Sequence, residues 1–245
     1  MLYNYSMANK FEIFRDADVE TLTAEAGEYL NTLLSENKNS PVLLLLSAGS
    51  ALPLLNFVGI SSLGPNLTIT MLDDRFSQDP AVNNFARLQK TEFYKDALES
   101  NANFFGTLPR KDDTLASLAN RQDHNLRRWR AENPFGKIIA TLGMGPDGHT
   151  AGVFPFPEDS NQFHKLFESE SWAVGYNVGE KNPHKERVTV TLTFLKQVDY
   201  ALGFVLGKPK ESRLERVIKR QGEVFELPAM AWHRIPNVKL FTDLS

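Results

Sequence analysis

The sequence PVLLLLSAGS, residues 41–50, decides the fold, because it joins an unbroken apolar run to a loop of small residues. Five consecutive aliphatic side chains, from Val42 to Leu46, suit a strand that is covered on both faces, as in a parallel sheet. The small residues that follow let the backbone turn tightly and direct its N–H groups outward. We therefore predict a buried parallel strand that ends in a tight loop.

Strand-like and helix-like segments alternate on both sides of this stretch. Apolar residues at the helical period predict helices over 18–37, 114–132 and 209–220. Short apolar or alternating runs predict strands over 42–46, 67–72, 137–142, 172–176, 187–193, 200–206 and 238–242. This order predicts an α/β fold of Rossmann-like type: a single domain over residues 1–245, with a mostly parallel sheet flanked by helices on both faces.

The composition excludes several classes of protein. The 245 residues include 27 Lys and Arg, 30 Asp and Glu, and no Cys, with a net charge of −3. Without Cys, a disulfide scaffold, a Cys-ligated zinc, an iron–sulfur cluster and a thiol nucleophile are excluded. The charge lacks the basic excess of a nucleic-acid-binding domain. With no secretory signal and no apolar run of about 20 residues, we expect a cytoplasmic protein that binds neither membranes nor nucleic acid.

Ligands of open α/β sheets bind beyond the carboxyl ends of the strands, which directs attention to three loops. The first loop, Ser47 to Ala51, is a candidate phosphate cradle if a helix begins near residues 52–53, because a helix N-terminus favours anions. An ordinary turn capped by Ser50 is the alternative. The loop is not a Walker P-loop, because no Gly-Lys-Ser/Thr follows.

The second loop begins with Asp73-Asp74-Arg75, directly after the strand predicted over 67–72. In an extended chain Asp73 and Arg75 share one side, and Asp74 faces the other. Arg75 has the geometry to bind a phosphate or carboxylate through two nitrogens. The paired carboxylates could also suggest a metal site, but no nearby His supports it. A surface ion pair between these residues remains open as an alternative.

The third loop, LGMGPDGHTA at residues 142–151, contains the pattern G-x-G-x-x-G. A dinucleotide site needs a long helix after the third glycine, whereas Pro155 and Pro157 follow within two turns, so we reject that interpretation. The loop then presents Asp147 and His149 at the end of a strand. Histidine suits general acid–base chemistry near neutral pH, although a lone His is more often structural or exposed.

At this point the sequence resembles a known family. LGMGPDGHTAGVFP, residues 142–155, resembles the signature of the 6-phosphogluconolactonases, which are grouped with the glucosamine-6-phosphate deaminases. Shorter matches lie in register: SAGSALP at 47–53, DDR at 73–75, NNF at 83–85, RVTVT at 187–191 and GKPK at 207–210. The phosphate loop departs most from the family pattern, with Ala48 in place of a glycine and Ala51 in place of a threonine.

The resemblance implies hydrolysis of 6-phospho-D-glucono-1,5-lactone to 6-phospho-D-gluconate in the oxidative pentose phosphate pathway, with no metal or organic cofactor. It implies that His149 activates the attacking water and that Asp147 orients His149 or braces the loop. Substrate contacts are implied for Ser47, Gly49, Ser50, Asp73, Arg75, Lys181, Arg187 and Lys210, with Arg75 and Lys181 on the phosphate and Lys185 as the alternative to Lys181. The expected partner is the small sugar-phosphate lactone, and the expected state is a monomer or small homo-oligomer.

Two other functions compete. A glucosamine-6-phosphate deaminase shares the glycine-loop Asp and His, but that family resembles D-E-Y where this chain has Asp73-Asp74-Arg75. A non-catalytic sugar-phosphate sensor usually carries a DNA-binding module, and only about 40 residues precede the first motif. The basic stretches at 127–130 and 213–220 are interleaved with Glu132, Glu211 and Glu215, which is typical of a solvated helix face.

Overall fold

A computed structural model describes residues 10–245 of the chain. The strands are β1 (Lys10–Arg15), β2 (Val42–Leu46), β3 (Leu67–Met71), β4 (Asp73–Arg75), β5 (Asn103–Phe105), β6 (Lys137–Leu142), β7 (Ala173–Asn177), β8 (Glu186–Val190), β9 (Tyr200–Val205) and β10 (Asn237–Thr242). The α-helices are α1 (Val19–Asn37), α2 (Asn84–Leu88), α3 (Glu92–Glu99), α4 (Leu115–Glu132), α5 (Ser160–Phe167), α6 (Leu192–Leu195) and α7 (Glu211–Ile218). Shorter 3₁₀ helices span Gly49–Phe57, Ile60–Ser62, Gly179–Lys181, Lys208–Lys210 and Pro228–Arg234.

Seven strands form the main sheet, in the order β1-β10-β9-β6-β2-β3-β5, and every neighbouring pair is parallel. The run Val42–Leu46 is strand β2, an interior strand between β6 and β3 that is buried at all five residues. A parallel strand in the middle of a sheet has no face left for water, which is why the run is uniformly aliphatic.

Helices cover both faces of this sheet. Along β2, Leu44 packs in one core cluster with Leu30 of α1, whereas Leu43 packs in another with Leu126 and Trp129 of α4. Successive side chains of a strand point to opposite faces, so the two clusters lie on opposite sides. The predicted α/β fold, with a mostly parallel sheet between helices, is confirmed; the single domain over 1–245 stays a prediction.

Two of the predicted strands lie outside the main sheet, in a second sheet that the sequence analysis did not predict. The predicted strands 172–176 and 187–193 form β7 and β8, which build a separate antiparallel sheet with β4, in the order β4-β8-β7. The second strand ends at Val190, because the Thr191 side chain accepts from Phe194 N and so begins helix α6. Alternating apolar residues identify a strand but not its partner.

Two helix boundaries also differ from the predictions. The helix expected to begin near residues 52–53 is a 3₁₀ helix that already begins at Gly49 and carries Pro53 inside it. The helix predicted over 209–220 is divided into a 3₁₀ turn, Lys208–Lys210, and helix α7. Both differences bring the helical N-terminus closer to the end of the preceding strand.

The parallel arrangement gathers the chemically interesting loops at one edge of the main sheet. Strands β2, β3, β6 and β9 all end there, and they are followed by the SAGS loop, by β4, by the glycine loop and by the Lys208–Lys210 turn. Leu72 N donates to Leu46 O (2.9 Å), so β4 starts against the end of β2. None of the helices described over residues 10–245 has the length and hydropathy that a membrane crossing requires.

Candidate active site

The glycine loop after β6 is closed by its own hydrogen bonds. Gly145 N donates to His149 O (2.9 Å), and Gly148 N donates to Gly145 O (3.0 Å). Thr150 Oγ1 donates to Gly143 O (2.9 Å) and accepts from Trp232 Nε1 (2.9 Å), which ties the loop to a buried tryptophan. The loop is therefore a rigid turn that holds its side chains in fixed positions.

His149 is held by Asp147 from the same loop. Its Nδ1 lies 2.6 Å from Asp147 Oδ1, and the same oxygen accepts from His149 N (3.1 Å). The ring also stacks on Phe154, with 4.3 Å between the ring centroids. We assign the Nδ1 proton from this carboxylate contact, which leaves Nε2 as an unprotonated acceptor.

The charge on Asp147 is stabilised by the same contact. Burial alone would raise the pKa of the carboxyl, but hydrogen bonds from His149 outweigh burial, and the pKa lies below its usual range. Asp147 therefore remains a carboxylate at neutral pH, able to orient the imidazole and to stabilise it once it gains a proton.

Gly145 lies directly against the imidazole. A Cβ built on Gly145 would lie 2.1 Å from His149 Cε1 and 2.7 Å from Asp147 Oδ1. Contacts below 3.0 Å are not tolerated by real side chains, so the His149–Asp147 pair can form only because position 145 carries no side chain.

The SAGS loop presents backbone amides next to this pair. Gly49 has a φ of +75°, a left-handed conformation that favours glycine. The 3₁₀ helix then begins, and no side chain caps its first turn after Ala48. The first N–H groups of a helix lack partners inside it, so the amides of Gly49 and Ser50 are available to an anion.

The DDR segment forms strand β4, and its side chains alternate as predicted, with Asp73 and Arg75 on one side and Asp74 on the other. Asp73 and Arg75 line the cleft, whereas Asp74 is buried behind them. Asp73 Oδ2 accepts from Arg187 Nη1 (2.9 Å), and both side chains are more than 90% buried. Asp73 is therefore engaged by Arg187, and Arg75 forms no salt bridge among the described residues.

Arg75 and Lys210 are half-buried cations of the cleft, and neither forms a salt bridge with a carboxylate among the residues that the structure describes. Arg75 donates through Nη1 to Val82 O (2.9 Å), while burial lowers the pKa of its guanidinium. Burial likewise lowers the pKa of Lys210, and the charge of Asp243 opposes the change. Partly desolvated cations of this kind attract an anionic ligand strongly, because little water screens them.

These loops enclose a cleft of about 330 Å³. Seven of the eight substrate-contact residues implied by the resemblance lie far apart in the sequence and come together in its lining with His149: Ser47, Gly49, Ser50, Asp73, Arg75, Arg187 and Lys210. Asp147 lies behind His149. A volume of this size accommodates a small, strongly polar molecule such as a phosphorylated sugar.

Lys181 lies outside the lining. Its Nζ donates to Pro155 O (2.6 Å) and to Glu158 Oε1 (2.9 Å), and it lies 3.6 Å from the centroid of the Phe156 ring. The alternative, Lys185, pairs with Glu180. The structure thus brings neither of the two lysines to the cleft, because local acidic and aromatic partners hold them elsewhere.

The cleft also contains residues that the sequence analysis missed. Asn84 and Arg87 of α2 line it, as do Asn182 and Met144. The NNF match pointed to Asn84, but nothing in the sequence indicated that one helical turn would carry Arg87 to the same cleft. Residues 10–245 contain no group of three or more His, Cys, Asp or Glu side chains placed to bind a metal.

The chain is similar to known proteins both in sequence and in fold. A family model described as glucosamine-6-phosphate isomerases/6-phosphogluconolactonase matches residues 17–239. The chloroplastic 6-phosphogluconolactonase 3 of Arabidopsis thaliana is 32% identical over 114 residues, which are 46% of this chain and 33% of that protein. A 6-phosphogluconolactonase of Mesorhizobium japonicum is 23% identical over 198 residues, 80% of this chain and 79% of that protein.

Among solved structures, a 6-phosphogluconolactonase from Shewanella baltica has a TM-score of 0.72 and 20% identity, covering 97% of this chain and 98% of that one. At this identity the likeness shows a shared fold. The family model covers most of the chain, whereas the matched segment spans about a third of the length of the Arabidopsis relative.

Proposed function

The chain belongs to the glucosamine-6-phosphate isomerase/6-phosphogluconolactonase family, and from this premise we propose that it hydrolyses 6-phospho-D-glucono-1,5-lactone to 6-phospho-D-gluconate. One observation carries the proposal: an imidazole oriented by a carboxylate lines the same cleft as cations, Arg75 and Lys210 among them, that form no salt bridge among the described residues. The relatives named above bear the name 6-phosphogluconolactonase, in agreement with it.

His149 acts as the general base. With Nδ1 held by Asp147, Nε2 accepts a proton from water as the water oxygen attacks the lactone carbonyl carbon. The tetrahedral intermediate then collapses, the bond to the ring oxygen breaks, and the imidazolium returns the proton to that oxygen. A lactone is a reactive ester, so one positioned base is sufficient and no covalent intermediate is required.

The reaction needs hydrogen-bond donors at two places: at the oxyanion that forms on the lactone carbonyl oxygen and at the phosphate group of the substrate. Gly145 N and Gly148 N are already bonded inside the glycine loop, so they do not stabilise the oxyanion. Donors that remain at the cleft include the amides of Gly49 and Ser50 and the ammonium of Lys210. Arg75 binds the phosphate, and the Asp73–Arg187 pair orients sugar hydroxyls. The pathway and the cytoplasmic location stay predictions.

A paired assay tests the reaction. Purified protein should accelerate lactone hydrolysis over the spontaneous rate without added metal and release no ammonia from glucosamine 6-phosphate. The reverse pattern would identify a deaminase, and binding of a sugar phosphate with neither activity would identify a sensor.

Substitution of the base tests the mechanism. His149→Asn should lower kcat by about 10²–10⁴-fold, the range of general acid–base catalysis, without changing the melting temperature. His124→Asn, at an exposed position of α4, is the matched control and should leave kcat unchanged. A fully active His149→Asn enzyme would refute the assignment of the base.

A further inference from the structure

Arg87 is a cleft residue that the proposed mechanism does not use. It lies in α2, lines the cleft and is half-buried. Its guanidinium makes no hydrogen bond or salt bridge among the described residues. By contrast, the neighbouring Arg187 is paired with Asp73. An arginine that is partly desolvated and has no acceptor in the protein is suited to an anion that enters from solution.

Helix α2 is fastened to the DDR strand, which fixes the position of Arg87 relative to Arg75. Asp74 accepts from Asn84 N (2.6 Å) and Phe85 N (2.9 Å) at the start of α2. The Asn84 side chain donates to Asp73 O (3.1 Å). These bonds hold the helix on the strand, so the two arginines approach the cleft from one rigid unit.

The two guanidiniums repel each other. Burial is the main cause that lowers the pKa of Arg75, and the charge of Arg87 adds to the effect. The charges of Asp73 and Asp74 oppose this effect, but neither carboxylate forms a salt bridge with Arg75 or Arg87 among the described residues, since Asp73 is bonded to Arg187 and Asp74 lies outside the lining of the cleft. A pair of like charges held together in this way is stabilised by a ligand that carries two negative charges, as a phosphate monoester does near neutral pH.

We propose that Arg87 is a second phosphate-binding arginine, which takes the place next to Arg75 that the sequence analysis assigned to Lys181. This inference rests on the proposed function for the identity of the substrate. Lys181 is engaged by Glu158 and Pro155 O outside the cleft. Arg87 therefore provides recognition of the phosphate group and not of the lactone ring.

The test compares two substrates, 6-phosphogluconolactone and the unphosphorylated glucono-1,5-lactone. Arg87→Met should raise KM for the phosphorylated lactone about tenfold or more, the effect of losing one charge-assisted contact, with kcat nearly unchanged. Hydrolysis of the unphosphorylated lactone should not change. Arg87→Lys should recover part of the loss, and Arg128→Met, an exposed arginine of α4, is the control that should change neither KM.

Binding of inorganic phosphate, measured by calorimetry, tests the inference without any activity. Arg87→Met should weaken phosphate binding by a factor similar to its effect on KM. Unchanged phosphate affinity, equal losses on both lactones, or a KM defect in Lys181→Met but not in Arg87→Met would each overturn the inference. If the wild type binds phosphate through Arg87 but hydrolyses neither lactone, the proposed function fails and the phosphate site stands.

Discussion

Gly145 is the residue on which the geometry of the His149–Asp147 pair depends most directly. Any side chain there would occupy the space of the His149 ring, which is held on its other sides by Asp147 and Phe154. The ring therefore cannot move aside without losing the contact with Asp147, which fixes the tautomer and the orientation of the imidazole. The contact between His149 and Asp147 therefore depends on the absence of a side chain at position 145 as well as on the two residues themselves.

We expect Gly145→Ala to lower kcat by about tenfold or more, because the new Cβ displaces the imidazole from its position against Asp147. Gly64→Ala is the matched control, since a Cβ at that position meets no atom within 4 Å. Steady-state kinetics with both variants, at equal melting temperatures, measure the difference. Equal kcat values for the two variants would contradict the steric argument.

At the scale of elements, the buried carboxyl of Asp74 joins β4 to α2 and so holds one side of the cleft in place. Asp74 is 1% exposed and also accepts from Thr107 Oγ1 (2.6 Å). Burial raises its pKa to about 6, against the opposing effect of hydrogen bonds from Thr107, Asn84 and Phe85. The folded protein thus retains a proton on Asp74 at pH values where the unfolded chain has released it.

This difference in pKa makes the stability depend on pH. The contribution of protonated Asp74 is fully present below about pH 4 and is lost as the pH rises through about 6. Relative to Asp74→Asn, the wild-type free energy of unfolding should therefore fall by about 3 kcal/mol or less between pH 4 and pH 7. Urea titrations of both proteins at several pH values measure it. A difference that stays constant or increases with pH would contradict the assignment.

The sequence predicts the interior strands of the parallel sheet better than its edge strand β5 and the short strand β4 of the antiparallel sheet. Strands such as β2 and β6 are buried on both faces, so their residues are apolar without interruption and easy to recognise. Strand β4 has three charged residues, and its strand conformation depends on pairing with β8, about 110 positions away in the sequence. Because the two strands lie far apart in the sequence, no pattern of neighbouring residues predicts their pairing.

The sequence likewise predicts some of the cleft residues and misses others. His149, Arg75 and Lys210 follow strand ends, where the rule for open sheets directs attention. The position of Lys181 depends on its contacts with Glu158 and Phe156, which no local pattern reveals. Arg87 was missed for the same reason, because its place in the cleft depends on hydrogen bonds that dock α2 on β4.

Over the whole molecule, the net charge of −3 and the charges of the cleft have opposite signs. An anionic substrate is repelled weakly at long range and attracted by the partly buried cations at the site. At physiological ionic strength, charges beyond about 8 Å are largely screened, so the cations of the cleft determine the encounter with substrate.

We therefore expect KM for the phosphorylated lactone to rise several-fold, on the order of two- to tenfold, as NaCl is increased from about 20 mM to about 500 mM. The KM for glucono-1,5-lactone, which carries no charge, serves as the control and should stay constant. Initial-rate measurements over this range decide the question. A KM that falls with added salt would show that the overall negative charge dominates instead.

The order of the main sheet has a consequence for how the chain assembles during synthesis. Within residues 10–245, strand β1 pairs only with β10, and β10 lies between β1 and β9. The earliest strand of the described chain therefore has no place to dock until the final strand has left the ribosome. The loops that carry Ser47, Arg75 and His149 are synthesised well before that moment, but Lys210 and Trp232, which donates to Thr150 in the glycine loop, follow much later. The cleft and the far edge of the sheet are therefore both completed only when the last part of the described chain is available.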